Sequence, residues 1–195
     1  MERLRVQFIH GLESSPQSAK ARLLAAHFDA RTPAMDTADF EACVTLQAET
    51  LAAFRPDLLV GSSFGGAVAV ELLQRGTWSG PTLLLAQAAL RRAEGLGLGE
   101  APRRVPAPQR VPAPQRVPES RRVPEPRLPE GVHIWLVHGL GDELIDPEDS
   151  RRLARSGSPE RVRLIEVDDD HALHGSVAQG RLVDWVLELA VAARA

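Results

Sequence analysis

Short apolar runs alternate along this chain with longer amphipathic stretches, and this alternation restricts the possible folds more than any other feature. The run Leu58-Leu59-Val60 is apolar throughout, and so is most of the run 132–137. A strand without a polar side is covered on both faces, as in a parallel sheet flanked by helices. Strand and helix patterns in alternation indicate βαβ units. The sequence therefore predicts an α/β fold built on one mainly parallel sheet.

The same patterns place about six strands and the helices between them. Strands are expected at residues 5–9, 32–35, 58–60, 81–86, 132–137 and 161–167. Helices are expected to begin after the N-caps Ser15 and Asp39, and to cover 66–75, 147–156 and 177–193. We expect Pro56 to end the second helix and Gly76 to cap the third at its C-terminus.

Length and composition favour one soluble domain spanning residues 1–195. The chain has 195 residues and 44% hydrophobic residues, which suits a single core, and no apolar run is long enough to cross a membrane. The N-terminus lacks the pattern of a secretory signal, so we expect a cytoplasmic protein. Cys43 is expected in the core. Because it is the sole cysteine, an internal disulfide and a thiolate cluster are excluded. Neither a metal nor an organic cofactor is expected.

One segment departs from this pattern. The hexapeptide Arg-Val-Pro-Ala-Pro-Gln at 104–109 repeats at 110–115, and degenerate copies continue to residue 127. Proline removes amide donors and fixes φ, so a flexible or extended insert is predicted over residues 91–130, before the fifth strand and in the position of a cap. The insert is interpreted as a tract without a dedicated role, a mobile cover over the site, or a ligand for a proline-recognising partner.

Charge is distributed unevenly along the chain. The net charge is −3, but residues 103–127 carry seven Arg and two Glu, or +5, which leaves −8 elsewhere. A general nucleic-acid-binding surface is therefore not expected.

A nucleophile motif follows the third predicted strand. Residues 61–65 read Gly-Ser-Ser-Phe-Gly and fit G-x-S-x-G between a buried strand and a helix. In that setting Ser63 is projected above the sheet, and the helix directs its positive end toward a developing oxyanion. Ser62 occupies the variable position of the motif. The sequence therefore predicts Ser63 as a nucleophile, which requires a base and an acid to orient that base.

The acid and the base are expected after the fifth and sixth strands, at the same edge of the sheet as Ser63. Asp142 is the predicted acid, with Glu143 as an alternative and Asp146 as the N-cap of the next helix. His171 is the predicted base, because it lies closer to its strand than His174, which could instead begin the final helix.

Backbone donors complete the predicted site. The loop after the first strand is expected beside the nucleophile turn, where the N–H of Leu12 pairs with that of Phe64 as an oxyanion hole. His10 precedes this loop and is interpreted as structural.

These segments resemble the small YqiA-like esterases of the α/β-hydrolase superfamily. The residues that carry the resemblance are His-Gly-Leu-Glu-Ser-Ser-Pro at 10–16 followed by Ser-Ala-Lys at 18–20, the motif at 61–66, the loop 138–142 and the pair Asp170-His171. It covers the chain outside about residues 91–130. It implies a compact sheet of six strands and activity on short acyl or thioester-like substrates. Gln87 departs from this pattern, since relatives often have proline there.

The function expected from these features is a serine hydrolase that cleaves carboxylic esters of small acyl substrates through an acyl-enzyme on Ser63. A thioesterase or amidase would use the same three residues. The alternative outside enzymes is a non-catalytic binding protein that recruits partners through the proline-rich insert. The sequence does not distinguish a monomer from a homodimer.

Overall fold

The computed structural model describes residues 3–93 and 124–194 and contains one sheet. Its strands are all parallel and lie in the order β2-β1-β3-β4-β5-β6. The strands are β1 (Arg5–Ile9), β2 (Asp29–Arg31), β3 (Leu58–Ser62), β4 (Thr82–Leu85), β5 (Ile134–Gly139) and β6 (Val162–Val167). The helices are α1 (Ala19–His27), α2 (Phe40–Phe54), α3 (Phe64–Gln74), α4 (Ala89–Ala93), α5 (Pro147–Arg155), α6 (His174–Ala178) and α7 (Arg181–Ala192). The predicted fold class is confirmed.

The helices cover both faces of the sheet, and strand residues alternate between two cores. Leu59 packs in the core that includes residues of α2 and α3, whereas Leu58 and Val60 pack in the core that includes residues of α1 and α7. Every residue of β3 is buried, as its apolar sequence predicts. Cys43 lies in the first core and is 1% exposed, so its predicted place is confirmed.

Strand β2 lies on one side of β1, at the edge of the sheet, and β3 lies on the other side of β1. The strand order therefore reverses between β1 and β3. Open α/β sheets bind ligands at such a reversal, outside the carboxyl ends of the strands. The loops that follow β1 and β3 meet at this point, so the fold itself selects the region in which a site is formed.

Two predictions near the N-terminus are wrong. Helix α1 is capped by Ser18, whose side chain accepts from the N–H of Ala21, and not by Ser15. Ser15 instead begins a turn, because its carbonyl accepts from Ser18 and its hydroxyl from Gln17. The second strand covers Asp29–Arg31 rather than 32–35, ending before Pro33, which has no N–H to donate.

The bounds of later elements also differ from the predictions. Helix α3 begins at Phe64 rather than Gly66, and β5 extends to Gly139. The single helix expected over 177–193 is two helices, since Gly180 with φ 76° breaks the chain between α6 and α7. The caps predicted at Asp39, Asp146 and Gly76 are observed. 

Most of the predicted insert, residues 94–123, lies outside the described residues, so its flexibility stays a prediction. Its two ends are described. Arg91 and Arg92 belong to α4, and Leu128 is 4% exposed in the core that includes α3. The Leu128 N–H also donates to the Ser156 hydroxyl at 3.0 Å. The ends of the predicted insert are therefore packed on the domain. Across the described part of the chain, no helix has the length and apolar character to cross a membrane.

The central strands should dominate stability. Leu84 of β4 is fully buried, so Leu84→Ala should lower the free energy of unfolding by about 2–5 kcal/mol through lost burial and the cavity left behind. Leu187→Ala is the matched control, because Leu187 is 48% exposed and its removal should cost within about 0.5 kcal/mol. Urea unfolding of the two variants measures the difference. Equal midpoints would contradict the buried position of β4.

Candidate active site

Ser63 lies in a strained turn between β3 and α3. Its φ of 53° and ψ of −116° fall outside the regions that residues with a side chain readily adopt, a conformation that costs on the order of 1–3 kcal/mol. The turn is held by the Ser63 N–H, which donates to the Leu85 carbonyl at 2.9 Å, and by the Ser63 carbonyl, which accepts from Gly66 at 2.9 Å. The Ser63 side chain makes no capping bond to α3, so its hydroxyl is available for another partner.

The glycines of the motif are explained by close backbone contacts. A Cβ added at Gly65 would lie 2.1 Å from the carbonyl oxygen of Ile9, at the end of β1. A Cβ added at Gly61 would lie 2.6 Å from the carbonyl oxygen of Gly65. Neither neighbour is a flexible side chain that could move aside. The turn can therefore form against β1 only when these two positions lack a side chain.

The structure brings the three predicted side chains into one hydrogen-bonded series. His171 Nε2 lies 3.0 Å from Ser63 Oγ, and His171 Nδ1 lies 2.7 Å from Asp142 Oδ2. The carboxylate can only accept, so Nδ1 carries the proton and Nε2 is free to accept from the serine hydroxyl. The His171 side chain is 20% exposed, whereas that of Asp142 is fully buried. His171 therefore links a buried charge to a hydroxyl at the surface.

Asp142 has a second histidine partner. His138 Nε2 lies 3.0 Å from Asp142 Oδ2, and the other carboxylate oxygen accepts from the N–H groups of Leu144 and Ile145 at 2.8 and 2.9 Å. Burial by itself raises the pKa of the Asp142 carboxyl. The hydrogen bonds from His138, His171 and the Ile145 N–H outweigh burial and hold that pKa well below its usual range.

The polar network continues behind His138. Its Nδ1 lies 2.7 Å from the hydroxyl of Ser150, which in turn lies 3.4 Å from Gln87 Nε2. Because His138 Nε2 faces the carboxylate and the Ile145 carbonyl, it carries the proton, and Ser150 donates to Nδ1. Gln87 Oε1 accepts from the N–H of Ala89 at 2.7 Å, in the first turn of α4. His138, Ser150 and Gln87 are all fully buried.

The other histidines considered from the sequence lie outside this network. His174 begins α6, is exposed, and its Nδ1 pairs with Asp170 at 2.6 Å. His10 is buried, and its Nδ1 lies 2.8 Å from the Gly11 carbonyl oxygen. The structure therefore joins only His171, of the three considered, to Ser63.

Leu12, predicted as a backbone donor, lies in the loop after β1 and lines the same pocket as Ser63. That loop is close to the nucleophile turn, since a Cβ added at Gly11 would lie 3.4 Å from Ser63 Cβ. Phe64 is the first residue of α3, so its N–H is one of those left without an intrahelical partner. Both residues are in the region that the prediction requires.

A pocket of about 550 Å³ opens over Ser63 and His171. Its volume is within the range of small-molecule sites. Apolar side chains and a few polar ones line it: Phe8, Leu12, Leu144, Ile145 and Val177 with Ser14, Ser18, Lys20 and His174. Over residues 3–93 and 124–194, no group of three or more His, Cys, Asp or Glu side chains is arranged to hold a metal ion.

Two residues of the site were not singled out from the sequence. His138 was noted only as the first residue of the acid loop, although its spacing of four from Asp142 could have suggested a contact. Lys20 lines the pocket, although in the sequence it stands out only as part of the segment 18–20 that carries the family resemblance.

Comparisons with known proteins agree with this architecture. The chain matches the family described as Uncharacterised protein family (UPF0227) over residues 5–179. No curated protein matches the chain. Among solved structures, it is similar to a protein of the alpha/beta hydrolase superfamily from Xanthomonas campestris pv. campestris, with 23% identity and a TM-score of 0.63 over 95% of this chain and 99% of the other.

Two further similarities have lower identity. The esterase domain of a Rhodothermus marinus protein is 18% identical, with a TM-score of 0.60 over 94% of this chain and 84% of the other. The monoacylglycerol lipase of Paleococcus ferrophilus is 13% identical, with a TM-score of 0.61 over 96% of this chain and 94% of the other. The fold is that of the α/β-hydrolases. The chain belongs to the UPF0227 family, which confirms the predicted YqiA-like resemblance.

The lowered pKa of Asp142 predicts how stability depends on pH. The unfolded carboxyl, with an ordinary pKa of about 3.9, takes up a proton before the folded one does. The extra free energy of unfolding of the native chain relative to Asp142→Asn should therefore be fully present above about pH 5 and decrease below about pH 4. Urea unfolding of both proteins at several pH values from about 5 to about 2 measures this difference in the free energy of unfolding. If the difference in the free energy of unfolding stays constant over this pH range, the folded carboxylate is not selectively stabilised.

Proposed function

We propose that this protein is a serine hydrolase that cleaves carboxylic esters of small acyl substrates through an acyl-enzyme on Ser63. The observation that carries the proposal is the hydrogen-bonded series from Ser63 through His171 to Asp142 at the base of the pocket. A serine hydroxyl is a weak nucleophile unless a base takes its proton, and that base needs an acid to fix its tautomer. The three side chains meet both requirements.

Acylation begins when His171 Nε2 takes the proton from Ser63 Oγ as that oxygen attacks the substrate carbonyl carbon. The carbonyl oxygen becomes an oxyanion, which the N–H groups of Leu12 and Phe64 stabilise in this proposal. Collapse of the tetrahedral intermediate breaks the ester bond, and the departing alcohol receives the proton from His171. The acyl group remains on Ser63.

Deacylation repeats these proton transfers with water as the nucleophile. His171 removes a proton from water, the hydroxide attacks the acyl carbon, and the bond to Ser63 Oγ breaks. The proton on His171 returns to Ser63, and the carboxylic acid leaves. Asp142 stays ionised throughout, which is supported by the hydrogen bonds that hold its pKa low.

The names of the structural neighbours are consistent with this proposal. Two of them are called an esterase domain and a monoacylglycerol lipase. At this low identity the structural similarity shows the fold alone. The proposal for the substrate therefore goes no further than a small acyl ester. The pocket of about 550 Å³ and its apolar side chains suit such an acyl group.

Labelling with a fluorophosphonate probe tests the nucleophile. The native chain and Ser62→Ala should be labelled, whereas Ser63→Ala should not, because only Ser63 Oγ is bonded to the base. Peptide mass then locates the adduct. Ser62 is the matched control, being the adjacent serine in the same motif. A folded native chain that resists labelling would overturn the proposal and direct attention to binding partners of the proline-rich insert.

A histidine pair tests the base. His171→Ala should lower the labelling rate and kcat for a p-nitrophenyl ester by at least about a thousand-fold, as removal of a triad member does in other serine hydrolases. His174→Ala should retain most of the labelling rate, since His174 pairs with Asp170 and not with Ser63. The reverse result would assign the base to His174.

A further inference from the structure

Lys20 is the only lysine in the chain. The other 22 of the 23 basic residues are arginines. Lysine and arginine differ physically, since lysine carries a compact ammonium on a flexible stem and arginine a planar fork of donors. The single lysine lies in the first turn of α1 and lines the pocket that contains Ser63 and His171. Its position therefore gives it access to a bound substrate.

The ammonium of Lys20 is only partly satisfied by the protein. Its Nζ donates to the carbonyl of Ala172 at 2.6 Å, in the residue after His171. An ammonium has three N–H donors, and this is the one hydrogen bond that the described residues provide. Among those residues, none forms an ion pair with it. Lys20 thus presents donors and a positive charge beside the base without a carboxylate in contact.

The nearby carboxylates are engaged elsewhere. Asp169 accepts from the N–H groups of Gly175 and Ser176, and Asp170 accepts from His174. Burial lowers the pKa of the Lys20 ammonium, while the more distant charges of Asp170 and Asp169 act in the opposite direction.

Among the residues that line the pocket, the one acid is Glu13, which is exposed and therefore screened by water. A partly buried cation without a contacting anion is unfavourable, and an anionic ligand would relieve this cost. The positive end of α1, a helix of nine residues, adds to the same potential.

We propose that Lys20 is an anion subsite, and that the substrate is an ester carrying a second, negatively charged oxyanion group, a carboxylate or a phosphate. The inference rests on the proposed hydrolase function, because it describes the substrate of the same pocket. The ammonium binds the charged group through its two remaining donors. The ester carbonyl is thereby placed beside Ser63, while the apolar wall contacts the carbon chain between the two groups.

Matched esters test the proposal. Mono-p-nitrophenyl adipate carries a free carboxylate, and its methyl ester has the same carbon chain with a neutral methyl ester in place of that carboxylate, so release of p-nitrophenol is followed for both. The native chain should have the higher kcat/KM on the charged ester. Lys20→Met should lower the ratio of the two values by at least about ten-fold, as expected for loss of a hydrogen bond to a charged group. Lys20→Arg should restore part of the ratio, because it keeps the charge.

A purely structural role gives a different result. If Lys20 served only to hold the Ala172 carbonyl, Lys20→Met would lower kcat/KM on both esters by the same factor and leave their ratio unchanged. That outcome would overturn the anion subsite. Adipate and inorganic phosphate, used as competitive inhibitors, distinguish the two sources of the charge. Inhibition by either should weaken in Lys20→Met, and the absence of inhibition by both would also overturn the proposal.

A second measurement does not need turnover. Lysine with ¹³C at Cε, incorporated during expression, labels only Lys20 in this chain, since no other lysine is present, and it leaves the three ammonium donors in place. The Lys20 signal, identified by its absence in Lys20→Met, should shift on titration with adipate or phosphate. No shift with either would overturn the subsite. Fluorophosphonate labelling of Ser63 in the same sample separates the two proposals, because labelled protein without charge preference contradicts only the subsite, and unlabelled protein contradicts the hydrolase function.

Discussion

The geometry of the site depends on a backbone contact that only glycine permits. Gly65, in the first turn of α3, packs against the carbonyl of Ile9 at the end of β1. Because β1 and β3 are neighbours in the sheet, this contact fixes the turn after β3 against the loop after β1. Ser63 and Leu12 consequently share one pocket. The unfavourable φ of Ser63 is sustained by its surroundings, since β3 before it is fully buried and α3 after it is largely so.

The buried charge of Asp142 imposes the second requirement. A carboxylate without water is costly unless its oxygens accept hydrogen bonds, and here two histidines and two backbone N–H groups supply them. His138 is itself buried, so its second ring nitrogen also needs a hydrogen-bond partner when the first donates to Asp142. The Ser150 hydroxyl is that partner. Gln87 extends the series to the first turn of α4, and a proline at this position would supply neither of its hydrogen bonds.

Much of this arrangement could be predicted because each predicted side chain of the Ser63, His171 and Asp142 series lies at or just beyond the carboxyl end of a strand. Apolar runs indicate the strands, and the carboxyl ends of parallel strands lie at one edge of the sheet. The motifs that follow the third, fifth and sixth predicted strands are therefore expected to lie close together. His138 could not be found in this way, since its contact depends on how the loop after β5 turns back. The start of α1 was also undetermined locally, because Ser15 and Ser18 are both suitable caps and only the turn at Pro16 decides between them. The apolar pattern over 177–193 predicts one helix and gives no sign of the break at Gly180.

The carbonyl that Lys20 binds belongs to Ala172, the residue after the proposed base His171. If Lys20 is the anion subsite proposed above, substrate binding and the position of His171 are physically linked. Lys20 in α1 holds the Ala172 carbonyl, and Asp142 in the loop after β5 holds the His171 side chain. An oxyanion bound to the remaining donors of Lys20 would leave this hydrogen bond intact, because an ammonium can serve three acceptors at once. Arginine at this position would carry a larger, planar group into a pocket wall that already accommodates a compact one. In the proposed subsite, a single lysine therefore both orients the loop of His171 and neutralises the charge of the bound oxyanion.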